Sequence, residues 1–337
     1  MKKQATWFGQ AVPEVLHPYN LKLTASRIRD VLDPLVAREG PSALEPDDVL
    51  TLHTLLVALQ TIRIPMAAIR YSRIHIAVAE IRGKATRWPA RLVDEADAVI
   101  SLLESRHGAL SQIKPPLFNT NGRLWKVCDP HEFTRTALYN RFISDDPSNV
   151  DDRRAYEYGN VGFPVGSWWI NSLFAFRDGI IDSRSVDGGL CWSGRGCYAI
   201  VLRGRDEINC QYPDKFTYDC QHNDRGMFRL TAKCHERDRC FVRVLRTHAL
   251  YSLWAPVAGI RYDGMYKVVG WTWKPSTDEQ LKSQKIHVNY QVHLERADPT
   301  PIEEALRHPL ADELDDYRDY KISIHEERQR VKAEHQV

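Results

Sequence analysis

Apolar residues recur every three or four positions along residues 24–107, which is the spacing of one face of an α-helix. In the segment EPDDVLTLHTLLVALQTI, Asp47 and Asp48 stand before the apolar positions, where the positive end of a helix dipole favours carboxylates. The apolar positions of that segment are Val49, Leu52, Leu56 and Leu59. The pattern predicts an all-α helical bundle over residues 20–110.

After residue 156 the pattern changes to alternation, which is typical of strands. In the segment HVNYQVHLE, the residues on one side are Val288, Tyr290, Val292 and Leu294. The residues between them are polar, so we predict an antiparallel strand with one solvated face. Several such segments, separated by glycines, predict a twisted β-barrel with short flanking helices over residues 155–297. The fold class is therefore α+β.

Two segments carry neither pattern. Residues 111–154 are rich in Pro, Asp and Asn and are predicted to be a linker, in which PHEFTRTALYNRF forms a short helix. Residues 298–337 are charged and poor in large apolar residues, so we predict a tail that is either an exposed helix or disordered.

The totals describe an ordinary globular chain. It has 337 residues, 43% of them hydrophobic and 27% charged, which suits about two domains. No apolar run is long enough to cross a bilayer, and the first residues lack the apolar segment of a secretory signal. We therefore expect an intracellular protein without a membrane partner.

Charge is spread unevenly along the chain. The net charge is +3 for residues 1–154, +4 for residues 155–297 and −5 for residues 298–337. Between Arg63 and Arg91 the chain has seven basic residues and a single acidic one. This stretch is either a solvated helix face or a docking surface for nucleic acid or an acidic peptide.

The cysteines do not indicate a metal site or a catalytic centre. The chain has seven, and none forms a C-x-x-C pair, so we expect free thiols and no bound metal or other cofactor. Cys234 and His235 are neighbours, and neighbours on a strand point to opposite faces, which separates a nucleophile from its base. We therefore expect a protein that is not an enzyme.

Six segments after residue 156 together resemble the SRA family, the SET- and RING-associated domain. The family is also named YDG, after the residues that stand here as Tyr262, Asp263 and Gly264. The segments are YGNVGFPVGSWW, VDGGL, GCYAIVLRG, FTYDC, CFVRVLR and APVAGIRYDGMYKVVGWTW. The resemblance implies a twisted barrel that binds DNA containing 5-methylcytosine and flips that base into a pocket.

The resemblance assigns roles to individual positions. Val186 matches an apolar residue that enters the duplex from the minor-groove side, and Gly188 and Gly189 follow it and allow close backbone approach. Tyr218 matches one of two aromatic rings that enclose the flipped base. Gly204 matches a backbone position near that pocket.

Other positions depart from the family pattern. Asp206 stands where the second ring is expected, and Tyr212 is a nearby candidate to replace that ring. Asn209 offers an amide where the family reads the base edge with a carboxylate. Asp219 replaces a small hydroxyl residue. These changes indicate that the fold is kept while the pocket is altered.

The long basic finger of the family is shortened here, and Arg225 and Arg229 are its candidate DNA contacts. The resemblance implies a non-catalytic, nuclear chromatin reader of hemimethylated CpG, linked to DNA-methylation or heterochromatin maintenance. Its expected partner is double-stranded DNA. The alternative is a degenerate SRA domain that binds DNA regardless of methylation or acts as a protein-interaction scaffold.

Two further interpretations concern local segments. The helical residues 45–107 loosely resemble the amino-terminal domain of transcription elongation factors, which implies a protein partner for the bundle. The triplet Tyr262, Asp263 and Gly264 is predicted to be the turn of a β-hairpin, because Gly accepts positive φ and Asp bonds to its own turn backbone.

Overall fold

The chain forms two compact units, Met1–Asp129 and Pro130–Val337, which we call unit 1 and unit 2. The computed structural model describes residues 6–8, 10–83, 87–113, 117–145, 152–220, 227–231, 241–274 and 289–334. Across these ranges, no helix combines the length and the apolar character needed to cross a membrane.

Unit 1 is helical. A pair of two-residue strands, β1 (Thr6–Trp7) and β2 (Gln10–Ala11), precedes the helices. The helices are α1 (Pro18–Arg27), α2 (Asp33–Glu39), α3 (Pro46–Thr61), α4 (Met66–Ser72), α5 (Ile74–Ile81) and α6 (Ala90–His107), with a π-helical turn at Ile28–Leu32.

Local residues set where these helices begin and end. Pro18 and Pro46 occupy the first turns of α1 and α3, where a missing N–H costs nothing. Gly40 and Gly108 follow α2 and α6 with φ of +88° and +80°, which side-chain-bearing residues adopt at a cost. The predicted face of α3 is buried, with Leu52, Leu56 and Leu59 almost inaccessible.

Unit 2 contains a mixed sheet of eight strands. The strands are β3 (Trp168–Trp169), β4 (Gly189–Ser193), β5 (Gly196–Gly204), β6 (Glu207–Tyr212), β7 (Lys215–Asp219), β8 (Val242–Leu250), β9 (Ile260–Lys274) and β10 (Asn289–Arg296). Their order is β4-β5-β8-β9-β10-β7-β6, and β3 pairs with β9. The β5–β8 pair is parallel and the others are antiparallel.

The prediction of a barrel is wrong in one respect. The sheet is open, because in the described part of the chain no ladder joins its two edge strands, β4 and β6. Alternating residues define a strand and its two faces, but closure depends on the number of strands and their stagger, which alternation does not encode.

The prediction of a hairpin turn at Tyr262–Gly264 is also wrong. Strand β9 runs without interruption for 15 residues through the triplet. On β8, Val244 pairs with Gly264 and Leu245 pairs with Tyr262, so Asp263 is the extra residue of a β-bulge. Gly264 has φ of +109°, which fits a bulge as well as it fits a turn.

Short helices surround the sheet. They are α7 (Arg135–Tyr139), α8 (Asp152–Ala155), α9 (Ser172–Arg177), α10 (Met227–Thr231), α11 (Ile302–Leu306) and the long α12 (Ala311–Glu334). Tyr320 of α12 is buried, and its hydroxyl donates to the Phe133 carbonyl at 2.9 Å. Asn171 donates to the same hydroxyl at 3.1 Å, so α12 packs within unit 2.

Candidate nucleic-acid interface

Three charged side chains lie inside the sheet without access to solvent. Arg246 of β8 donates to Glu207 of β6 and to Asp263 of β9, each at 2.5 Å. Arg261 donates to the same Asp263 carboxylate at 2.5 Å. Burial acts to raise the pKa of the Asp263 carboxyl, but Arg261 and Arg246 outweigh it, so this pKa lies below its ordinary value. The bulged Asp263 therefore holds β8 and β9 together through charge.

A second buried arginine fixes the chain that leads into the sheet. Arg243 of β8 donates to the carbonyl oxygens of Ala155, Glu157, Gly159 and Ile180 at 2.6, 2.7, 2.8 and 3.2 Å. Neither arginine of β8 had an assigned role from the sequence alone. Their signal is the run FVRVLR, because arginine inside an apolar strand is compatible with burial only when partners compensate it.

The loop between β8 and β9, residues 251–259, is fixed at two points. Arg261 donates to the Trp254 carbonyl oxygen at 2.7 Å, which connects the loop to the buried Asp263. The Trp168 indole donates to the Ala258 carbonyl oxygen at 2.7 Å. The loop is thus anchored at Trp254 to Arg261, which pairs with Asp263, and at Ala258 to Trp168 of β3.

Three apolar side chains of this loop face solvent. Tyr251 is 74% exposed, Leu253 is 97% exposed and Val257 is 77% exposed. The Tyr251 N–H donates to the Gly204 carbonyl oxygen at 2.7 Å, which places the loop beside the turn after β5. That turn carries Arg203 and Arg205, both exposed. We call Arg203, Arg205, Tyr251 and Leu253 the turn–loop surface.

Two predicted site residues, Asp206 and Asp219, are joined by a hydrogen bond at this turn, and a third, Gly204, lies within it. The Asp206 carboxylate accepts from the Arg203 N–H at 2.9 Å, and the Asp206 carbonyl accepts from the Asp219 N–H at 2.8 Å. Gln291 donates to the Asp219 carboxylate at 3.1 Å. Gly204, with φ of +58°, makes the turn possible. Asp206 therefore shapes the turn through its own backbone and carboxylate.

The Val186 segment lies against the same turn. Gly188 and Gly189 have φ of +105° and +93°, and a Cβ at Gly188 would stand 3.4 Å from the Cβ of Arg203. Val186 itself is buried, with 4% of its surface exposed. A wedge is an apolar side chain that enters the base stack of a duplex, and it can do so only from an exposed position. Val186 therefore does not act as a wedge in this conformation.

Tyr218 is fully buried in the apolar core of unit 2. Strand register places Glu207, Tyr218, Val292 and Trp271 in one row on the same face of the sheet. The Tyr218 ring therefore has no open face for a base. Within this row, Trp271 retains access to solvent.

The open part of that face is aromatic. Trp273 pairs with Tyr290 in the next row, and Trp271 meets the Tyr290 ring edge-on at 5.3 Å. Trp273 is largely exposed. These rings had no assigned role from the sequence alone, because the alternation of β9 shifts at the irregularity opposite His293 and Leu294.

The remaining predicted residues lie apart from the turn. Asn209 is exposed on β6 with φ of +54°, and Tyr212 is exposed at the opposite end of β6 from Asp206. Arg229 lies in α10, with its guanidinium 4.5 Å from the ring of the exposed Phe228. Arg225 lies outside the described residues.

Cys191 and Cys210 form no disulfide. Burial raises the pKa of the Cys210 thiol to about 12, with Glu207 acting in the same direction. In the described ranges, no group of three or more His, Cys, Asp or Glu residues is arranged to hold a metal ion. Cys234 and His235 lie outside those ranges.

Comparison with known proteins gives partial structural likenesses. No family model and no curated protein matches the chain. The modification-dependent TagI restriction endonuclease is 22% identical with a TM-score of 0.34, over 44% of this chain and 59% of that chain. The SUVH5 SRA domain in complex with hemimethylated CG DNA is 18% identical with a TM-score of 0.31, over 42% of this chain and 92% of that chain. SUVH6 of Arabidopsis thaliana in complex with SAM is 20% identical with a TM-score of 0.34, over 50% of this chain and 33% of that chain. This chain thus spans less than two thirds of the TagI and SUVH6 chains.

Proposed function

We propose that unit 2 is a non-catalytic module that binds double-stranded DNA through the turn–loop surface. The observation that carries the proposal is the turn after β5, which contains Gly204 and in which Asp206 bonds to Arg203 and to Asp219. The SRA resemblance singles out Gly204, Asp206 and Asp219. That turn presents arginines and exposed apolar side chains together. Such a combination suits phosphate contact beside insertion into a base stack.

The arginines of the surface supply charge. Arg203 approaches Asp187 at 3.5 Å, whereas Arg205 has no ion-pair partner in the described part of the chain. A phosphate is the natural counter-ion for Arg205, because an exposed guanidinium forms two parallel hydrogen bonds to one anion. Arg205 therefore contributes to affinity for any DNA sequence and makes binding sensitive to salt.

The apolar residues of the surface supply the wedge. Because Val186 is buried and Leu253 is almost fully exposed, we assign to Leu253 the role that the SRA resemblance gives to Val186. The anchoring of its loop through Arg261 limits the entropy lost when Leu253 enters the duplex.

We further propose that the module distinguishes 5-methylcytosine, which requires the base to leave the duplex. The base then meets the aromatic face of β9 and β10, where the Trp271 ring is accessible. Binding to DNA regardless of methylation is the second candidate, and the complete burial of Tyr218 favours it. In that case unit 2 would read only the shape and charge of the duplex.

Electrophoretic mobility shifts with the full chain test the proposal. We expect a hemimethylated CpG duplex to bind more tightly than its unmethylated counterpart. Leu253→Ser should weaken duplex binding at least about tenfold, since a side chain that enters the base stack offsets a few kcal/mol of unstacking. Ile322→Ser is the control, because Ile322 is an exposed apolar residue of α12. Unchanged affinity in Leu253→Ser would remove the loop from the interface.

Two further variants separate charge from base reading. Arg205→Gln should reduce the slope of log affinity against log salt by about one, and Arg328→Gln, an exposed arginine of α12, should leave it unchanged. Trp271→Ala should abolish a preference for methylated DNA without changing affinity for unmethylated duplex. Equal binding of both duplexes by the native chain establishes the methylation-independent candidate, and absence of duplex binding rejects both.

A further inference from the structure

A cavity of about 430 Å³ opens on the surface of unit 1 and belongs to no site described so far. Its walls come from the segment before α1, from α1 itself and from α4. The aromatic residues that line it are Trp7, Tyr19 and Tyr71, and Pro18 and Pro65 complete the apolar wall. The volume lies in the range of pockets that hold a ligand the size of one nucleotide.

The aromatic rings are available to a ligand. Tyr19 is 58% exposed, and Trp7 and Tyr71 are partly buried. Both prolines stand at the starts of helices, and the proline ring fixes φ at each position. This part of the cavity wall is therefore rigid before a ligand binds. Rings in such a position favour a flat ligand that can stack.

Two basic residues lie close to this cavity, one in space and one in sequence. The Lys22 ammonium lies 5.2 Å from the centroid of the Tyr71 ring, which lines the cavity. Arg70 precedes Tyr71 on α4 and is exposed. In the described residues neither of the two forms an ion pair.

Other arginines of unit 1 do form ion pairs. Arg27 bonds to Asp48, Arg29 to Glu80, Arg82 to Asp97 and Arg91 to Glu95. Unlike these four, Lys22 and Arg70 have no carboxylate partner among the described residues. Cations that already lie over the rings repel a cationic ligand, so the charge pattern selects an anion.

The cavity also offers polar groups for recognition. His17 and Asn121 line it, and in the described part of the chain neither side chain forms a hydrogen bond. An amide and an imidazole together present donors and acceptors of the kind that read the edge of a base. Stacking rings and unpaired cations are the usual components of single-strand recognition. The amide and the imidazole add hydrogen-bonding groups for the edge of the base.

We propose that this cavity binds one nucleotide of a single-stranded nucleic acid, with the base against Tyr19 and Tyr71 and its phosphates at Lys22 and Arg70. This activity is distinct from the duplex binding proposed for unit 2. An acidic, proline-containing peptide could also use rings and cations, but it would not require the polar pair His17 and Asn121.

Fluorescence anisotropy of the full chain with a labelled oligothymidine about ten nucleotides long tests the inference. We expect saturable binding. Tyr19→Ala should weaken it at least about fivefold, because one stacked base is lost. Tyr139→Ala is the control, since Tyr139 is an exposed tyrosine of unit 2. Lys22→Gln and Arg70→Gln should each flatten the salt dependence.

Three results would overturn the inference. They are no saturable binding, equal binding by Tyr19→Ala and the native chain, and tighter binding of an acidic proline-containing peptide of the same net charge as the oligonucleotide. The last result would assign the cavity to a peptide. Leu253→Ser should leave oligothymidine binding unchanged, so failure of the duplex proposal and failure of this one are distinguishable.

Discussion

The two units differ in how deeply their ion pairs are buried. In unit 1 the core is largely aliphatic, and an ion pair such as Arg82–Asp97 lies at the surface with about half of each side chain exposed. In unit 2 the Arg246, Glu207 and Asp263 side chains are completely buried at the centre of the sheet. Even Arg29, which is buried in unit 1, pairs with the partly exposed Glu80, whereas both partners of the ion pairs of Arg246 in unit 2 are completely buried.

The difference follows from how each unit satisfies its backbone. A helix bonds its own backbone internally, so helices need only an apolar stripe to pack. A bulge in β9 interrupts the ladder and leaves Asp263 pointing inward. The buried arginines then act as specific partners that a shifted register could not supply. We infer that buried charge defines strand register in unit 2.

The largest expected effect is the loss of the buried carboxylate. Asp263→Asn leaves Arg246 and Arg261 without their shared counter-ion, and breaking a buried pair costs about 3–5 kcal/mol. The matched change in unit 1, Asp97→Asn, should cost less than about 1 kcal/mol because its pair is exposed. Urea unfolding, followed by hydrogen exchange of peptides from each unit, measures both. Similar costs would remove the contrast between the units.

Apolar burial should not distinguish the units. Leu56 of unit 1 and Leu245 of unit 2 are both fully buried. Replacing either by Ala should lower the free energy of unfolding by about 2–5 kcal/mol, since the loss of contacts and the cavity left behind have the same origin in both. The same unfolding experiment measures the change in the free energy of unfolding for each variant. A much smaller cost at Leu245 would mean that the sheet is held together by charge alone.

Two glycines test backbone constraint. Gly264 has φ of +109°, and a Cβ there would lie 3.0 Å from the Cβ of Asp298. Gly40 has φ of +88° with open space around it. Gly264→Ala should destabilise unit 2 by about 1–3 kcal/mol of strain plus the clash, whereas Gly40→Ala carries only strain. Thermal unfolding compares them, and equal losses would argue against close packing at the bulge.

The smallest effect emerges only in acid. The pKa of Asp263 is lowered from an ordinary value of 3.8, so its stabilisation is complete above that pH and is lost as pH falls below it. The pKa of Glu95 in unit 1 is also lowered. Burial acts to raise this pKa, but the hydrogen bonds and charges of His53 and Arg91 outweigh that effect. Hydrogen exchange between about pH 4 and pH 2 should show unit 2 opening more than unit 1. Glu95→Gln should change this order little, and earlier opening of unit 1 would contradict the assignment.

Sequence patterns predicted the elements that depend on near neighbours. The spacing of Leu52, Leu56 and Leu59 identified the buried face of α3, and the alternation of Val292 and Leu294 identified β10. The resemblance also singled out Gly204 and Asp206, which the fold brings together at one turn. These features need only a short stretch of chain to be recognised.

Sequence patterns gave wrong predictions where contacts between residues far apart in the chain determine the structure. The triplet at Tyr262–Gly264 has the composition of a turn. It nevertheless continues a strand, in which Asp263 forms ion pairs with Arg246 and Arg261. Tyr218 matches a pocket ring, yet the core encloses it. Leu253 carries no signal in the sequence, because its exposure depends on the anchoring of its loop by residues elsewhere in the chain.

The sequence by itself determined the helical character of unit 1, the strand character of unit 2 and the positions of its flexible glycines. Those properties arise from side-chain period and backbone sterics, which act over a few residues. The tertiary structure alone decided that the sheet stays open, that charge is buried within it, and which rings and cations reach solvent. Burial, pairing and exposure are set by contacts between residues far apart in the chain, and no local pattern records them.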